Sequence, residues 1–130
     1  MIRFIHCNEI DGIRYTWDVR RLWDLAAGLP VEAVVVAELP GVDENCWFHA
    51  GEGPTVRNVV SHLKRILAAD MERPILLNVD GTVMDGLHRV ARALLEGRTT
   101  LPAVRFGSLP PAQSAEPQLP EGGDTNPAVK

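Results

Sequence analysis

The clearest periodic stretch is residues 56–69, VRNVVSHLKRILAA. Val56, Val59, Val60, Leu63, Ile66 and Leu67 fall at i, i+3, i+4, i+7, i+10 and i+11, the spacing of a helix with one apolar face turned to a core. Thr55 stands where a cap belongs. Residues 86–97 repeat the pattern, with Leu87, Val90, Ala91, Leu94 and Leu95 on the apolar side and Gly97 as the stop. Residues 17–27, WDVRRLWDLAA, form a third and less regular helix. There Thr16 is the expected cap, Asp18 suits the positive end, and Gly28-Leu29-Pro30 ends it.

Between these lie shorter apolar runs of strand length. Residues 2–7 (IRFIHC), 31–39 (VEAVVVAEL), 74–79 (PILLNV), Val83-Met84 and 101–106 (LPAVRF) are rich in Val, Ile and Leu. Asp80-Gly81 is a tight-turn signal between the third and fourth of them. The result is an α/β chain, a small mixed sheet with packed helices. Residues 1–107 make the expected domain. Residues 108–130 hold much Pro, Gly and Ser and too little apolar surface to offset the entropy of ordering, so a flexible Pro-rich tail is expected there.

Composition narrows the function. Of the 130 residues, 45 % are apolar, enough for a core. The net charge is −4, which argues against nucleic acid as a partner, since a basic stripe is the usual footprint. No apolar run approaches the roughly 18 residues of a membrane span, and residues 1–11 lack the pattern of a signal peptide. A cytoplasmic protein without membrane contact is expected. Cys7 and Cys46 are then free thiols. Cys46 and His49 have a C-x-x-H spacing, but this is half a zinc motif, and His6 and Cys7 point to opposite faces of a strand, so no metal site is expected.

The densest chemistry is V-M-D-G-L-H-R, residues 83–89. It sets Asp85, Gly86, His88 and Arg89 at the first turn of a helix, where free backbone N–H groups and partial positive charge favour anions. Gly86 lets a ligand approach. Arg89 offers a planar fork for phosphate oxygens, and Arg92 falls one turn beyond His88. The plainer alternative is that Asp85 merely caps the helix while His88 and Arg89 are solvated. Residues 40–55 form a long loop containing Asp43, Glu44, Trp47 and Phe48. Its G-E-G-P-T ending, with Thr55 and Arg57, is a weaker anion site or simply a helix entry. His62, among Arg57, Asn58, Lys64 and Arg65, is solvated or lines the same cleft.

Residues 74–106, with the helix before them, resemble the ParB/sulfiredoxin-like superfamily: strand, D-G turn, short strand ending in D-G-x-H-R, helix, final strand. The resemblance covers residues 55–106. It implies that the helix start binds nucleotide phosphates, with CTP used by ParB proteins and ATP by sulfiredoxins. The sulfiredoxin cysteine corresponds to Leu87 here, which removes that activity. The stretch after residue 107 is too short for the DNA-binding and dimerisation parts of partition proteins, so DNA partitioning is not implied.

A nucleotide (ATP, ADP or CTP) with Mg²⁺, or another phosphorylated small molecule, is therefore the expected ligand. Asp85, Gly86, His88, Arg89, Arg92, Trp47 as a stacking platform and Thr55 are the expected binding residues. Phosphotransfer or nucleotide hydrolysis also needs a carboxylate, for which Glu44, Asp43 and Glu9 are the candidates. A non-catalytic module that senses nucleotide or binds a protein partner shares the cradle and needs no base; a DNA-acting protein is a third reading.

Overall fold

The computed structural model describes residues 5–48 and 53–118. These form two compact units, one from residues 5–25 and 110–118, the other from the described residues of 26–109.

The first unit is a three-stranded sheet in the order β1-β2-β7, with β1 Ile5–Ile10, β2 Ile13–Asp18 and β7 Ser114–Pro117, and a helix α1, Val19–Leu25. Asp11 and Gly12 have φ of 53° and 79°, the left-handed pair that a two-residue hairpin requires. They close β1 on β2, with Ile10 opposite Ile13. Trp17 was expected on a helix but lies on β2 and is buried. Its ring stacks with His6 and Tyr15, and its Nε1 donates to the Pro110 carbonyl at 3.1 Å. Thr16 pairs in the strand and caps nothing; Asp18 instead accepts from the Arg20 amide at 3.0 Å. Strand β7 corrects the expected tail, because residues 114–117 pair antiparallel with β2. Residues 119–130 lie outside the described residues.

The second unit carries a four-stranded mixed sheet in the order β3-β6-β4-β5. Its elements are β3 Val31–Val35, a short 3-10 turn Val36–Glu38, α2 Val56–Leu67, β4 Ile75–Leu77, β5 Val83–Asp85, α3 Leu87–Glu96 and β6 Thr100–Arg105. Strand β6 runs parallel to β4 and antiparallel to β3, while β5 returns antiparallel to β4. Ile75, Leu76 and Leu77 are all fully buried, as a central strand covered on both faces should be. The core joins Ile75, Leu77, Val34, Val36, Leu101 and Ala103 of the sheet region to Val90 and Ala93 of α3. Among the described residues no helix is long and apolar enough to cross a membrane.

Two helix faces differ from the pattern. α3 buries Arg89, Val90 and Ala93, whereas Leu94 and Leu95 are exposed. The buried face is thus turned from the one its leucines suggest, and it takes in an arginine. α2 has the Thr55 cap, with Thr55 Oγ1 accepting from the Asn58 amide at 3.1 Å, yet none of its residues is buried.

Candidate functional site

β4 and β5 set the start of α3. Their hairpin turns at Asn78–Thr82, where the Asn78 amide donates to the Thr82 carbonyl at 2.9 Å and Asp80 Oδ1 accepts from the Thr82 amide and hydroxyl. After β5 the chain enters α3 through Gly86 at φ 118°. A Cβ there would sit 2.6 Å from Ile75 Cγ2 and 2.9 Å from Arg89 Nη2. Packing on β4 and under the arginine already demands glycine, before any ligand is considered. Asp85 is not the helix cap, for Gly86 holds that position without a side-chain hydrogen bond.

Asp85 pairs instead with Arg89, Oδ2 to Nη2, at 3.5 Å. Arg89 is only 8 % exposed, and its Nε is buried with no hydrogen-bond partner among the described residues. Burial pulls its pKa down while the Asp85 charge opposes the shift. The first-turn amides of Leu87, His88 and Arg89 have no carbonyl one turn back to bond. Three N–H groups and a guanidinium with a spare donor therefore lie within one turn of helix.

His88 is half-buried and faces α2. Its Nε2 lies 2.9 Å from His62 Nδ1. The Trp47 ring covers both imidazoles, at 4.5 Å from His62 and 4.8 Å from His88, nearly parallel to each, and Phe48 meets His62 edge-on. Desolvation chiefly, then His62 and Arg65, lower the His88 pKa to about 4, against a smaller opposing effect of Asp85. At neutral pH His88 is uncharged. It can hydrogen-bond a ligand but brings no cation to it.

The loop that delivers Trp47 is held from within. The Phe48 amide donates to Asn45 Oδ1 at 2.9 Å, Asn45 Nδ2 donates back to the Phe48 carbonyl, and Cys46 Sγ lies 3.6 Å from the Gly41 carbonyl. Burial, with help from Glu44, raises the Cys46 pKa, so this thiol is not activated. A groove of about 190 Å³ runs between residues 41–47 and the Leu87, Val90, Ala91 and Leu94 side of α3. That is below the roughly 300 Å³ at which small-molecule pockets begin, so it suits one part of a ligand.

The structure thus gathers Asp85, Gly86, His88 and Arg89, and adds Trp47 through its stack on His88. Of the other expected residues in this unit, none shares in these contacts. Arg92 bonds Glu96 at 2.6 Å and donates to the Ile66 and Leu67 carbonyls at the end of α2. Thr55 is occupied as a cap. Asp43 and Glu44 are exposed, with Glu44 at the groove. Glu9 belongs to the hairpin unit. Of the G-E-G-P-T entry, Gly51 and Glu52 lie outside the described residues, and the Gly53 carbonyl accepts from Asn58 Nδ2. His49, of the C-x-x-H spacing, lies outside the described residues, and among those described no three His, Cys, Asp or Glu side chains form a metal cluster. His62 is the residue of this cluster that sequence patterning left open. Its only signal was a position on the polar face of α2.

Comparisons with protein-family models, curated proteins and solved structures give no match to this chain.

Proposed function

We propose that the unit of residues 26–109 binds a phosphate-bearing small molecule, a nucleotide foremost, at the start of α3. The carrying observation is Arg89: a buried guanidinium on the first turn of a helix, its Nε without a hydrogen-bond partner among the described residues. A buried donor without a partner costs about 1–3 kcal/mol, and an anion on the first-turn amides offsets that cost. The resemblance of D-G-L-H-R and its flanking elements to the ParB/sulfiredoxin-like superfamily supports the same reading and adds the nucleotide.

Phosphate oxygens fit Arg89 and the amides of Leu87–Arg89. Mg²⁺ fits less well, since a hard cation wants several oxygens and Asp85 is engaged with Arg89. The proposal is therefore binding first, in a sensing or partner-regulated module. Glu44 at the groove is the feature that favours the second reading, a phosphotransferase or nucleotide hydrolase, with that carboxylate as base.

Isothermal titration of ATP, ADP, CTP and GTP with Mg²⁺ tests both. Binding by the wild type and its loss in Arg89→Met support the cradle. Absence of binding by all four, and by inorganic phosphate, overturns it. Turnover that disappears in Glu44→Gln selects the second reading.

A further inference from the structure

α2 is amphipathic, yet among the described residues none of its apolar side chains is buried. Val56 is 83 % exposed, Val60 42 %, Leu63 43 % and Leu67 54 %. At about 100° per residue these four make one ridge, three turns long. α2 meets α3 on another side, through His62 and the carbonyls of Ile66 and Leu67. The ridge therefore faces away from α3, the helix that packs on α2 among the described residues of this unit. Isolated exposed apolar residues are ordinary, but a contiguous ridge of them marks an interaction surface.

Charge says what covers it. Arg57 and Lys64 line one flank of the ridge, and with Val56, Val60 and Ser61 they border a shallow open depression of about 460 Å³. α2 holds Arg57, Lys64 and Arg65 and no acidic residue, in a chain whose acids outnumber its Lys and Arg 17 to 13. Two copies packed antiparallel through α2 would set Arg57 and Lys64 of one against the same residues of the other, which costs energy. A lipid surface is the poorer fit as well. The ridge has no Trp or Phe to sit in the interface.

We infer that the Val56–Val60–Leu63–Leu67 ridge of α2 docks an amphipathic helix of another protein, one whose apolar stripe is flanked by Asp or Glu. The apolar stripe packs ridge against ridge. The carboxylates stand opposite Arg57 and Lys64, two turns apart. The valines suit such an interface, because β-branched side chains have little rotamer freedom left to lose. This inference does not depend on nucleotide binding at α3.

A displayed library of helical peptides, with a fixed Leu/Ile stripe and flanks randomised over Glu, Lys and Ser, tests it on the full chain. The expected outcome is enrichment of Glu-flanked peptides. Their affinity falls about tenfold or more in Val60→Asp, and Arg57→Glu with Lys64→Glu shifts the preference to Lys flanks. Val60 is exposed, so its variant folds; an unchanged circular dichroism melt checks this. No enrichment, or enrichment indifferent to flank charge, overturns the inference. So does sedimentation showing a dimer that Val60→Asp dissolves, or co-sedimentation with phosphatidylserine vesicles that the same variant abolishes.

Discussion

His62 and His88 meet nitrogen to nitrogen, head-on. Their ring centroids are 5.2 Å apart and their nitrogens 2.9 Å. The difference is about twice the distance from an imidazole centre to its own nitrogen, so the two nitrogens lie on the line between the rings. This is the geometry of one N–H pointing at one lone pair. Two histidines chelating a metal converge at an angle instead.

The bond needs at least one neutral ring, and a second proton breaks it. His88 resists protonation down to about 4 in the folded chain, while an unfolded histidine takes its proton near 6.5. Between those values the unfolded state binds more protons, so stability falls as pH drops from about 6.5 to about 4 and then levels off. The expected observation is a His88 ring resonance that titrates near 4, accompanied by a change in Trp47 fluorescence. A His88 resonance that titrates near 6.5 contradicts the burial and pairing described above.

Trp47→Ala removes the ring that covers both imidazoles. The expected cost is about 1–2 kcal/mol, from lost stacking and partial burial, read as a lower denaturant midpoint. The His88 pKa should rise toward its ordinary value in the same variant, because water gains access to the ring. A variant with unchanged stability and unchanged titration shows that the stack holds nothing in place.

Gly86→Ala and Gly97→Ala separate two roles of glycine. Both positions have positive φ, 118° and 72°. At Gly97 an added Cβ meets open space, so about 1–2 kcal/mol of backbone strain is the whole effect. At Gly86 the methyl also collides with Ile75, and overpacking adds about 1–3 kcal/mol. Paired thermal melts should rank Gly86→Ala clearly below Gly97→Ala.

Arg89→Met keeps the buried stem and removes the charge. Asp85, the partner left behind, is 34 % exposed and stays hydrated, so a melt within about 1 kcal/mol of wild type is expected, together with loss of phosphate binding. Asp85→Ala does the reverse. It strands the guanidinium and costs about 1–3 kcal/mol. If Arg89→Met unfolds the protein while Asp85→Ala does not, the pair has been assigned the wrong way round.

How far these features could be read from the sequence depends on what each one rests on. The helices of the larger unit follow from period and punctuation, and Thr55 and Gly97 act as their types suggest. The D-G-L-H-R helix start is likewise a local signal. What failed was non-local or ambiguous. Asp11-Gly12 carries the same turn chemistry as Asp80-Gly81, yet the polar stretch around it hid a hairpin. β7 reads S-A-E-P and owes its strand conformation to pairing with β2 rather than to propensity. Arg89 counts as polar in any periodic pattern, so the buried face of α3 was set one step off. His62 and Trp47 come together only because α2 and the 41–48 loop both pack at the start of α3.

Strand β4 has no solvent on either face and a hydrogen-bonded neighbour on each edge. Its backbone amides are then the natural clock of this unit. Deuterium enters Ile75, Leu76 and Leu77 only when residues 26–109 open as a whole, so their exchange rates read the global free energy. Amides of the 41–48 loop exchange through smaller openings and read the local cost of lifting Trp47. One exchange experiment therefore yields both energies, and a ligand at the start of α3 slows the two sets by different factors.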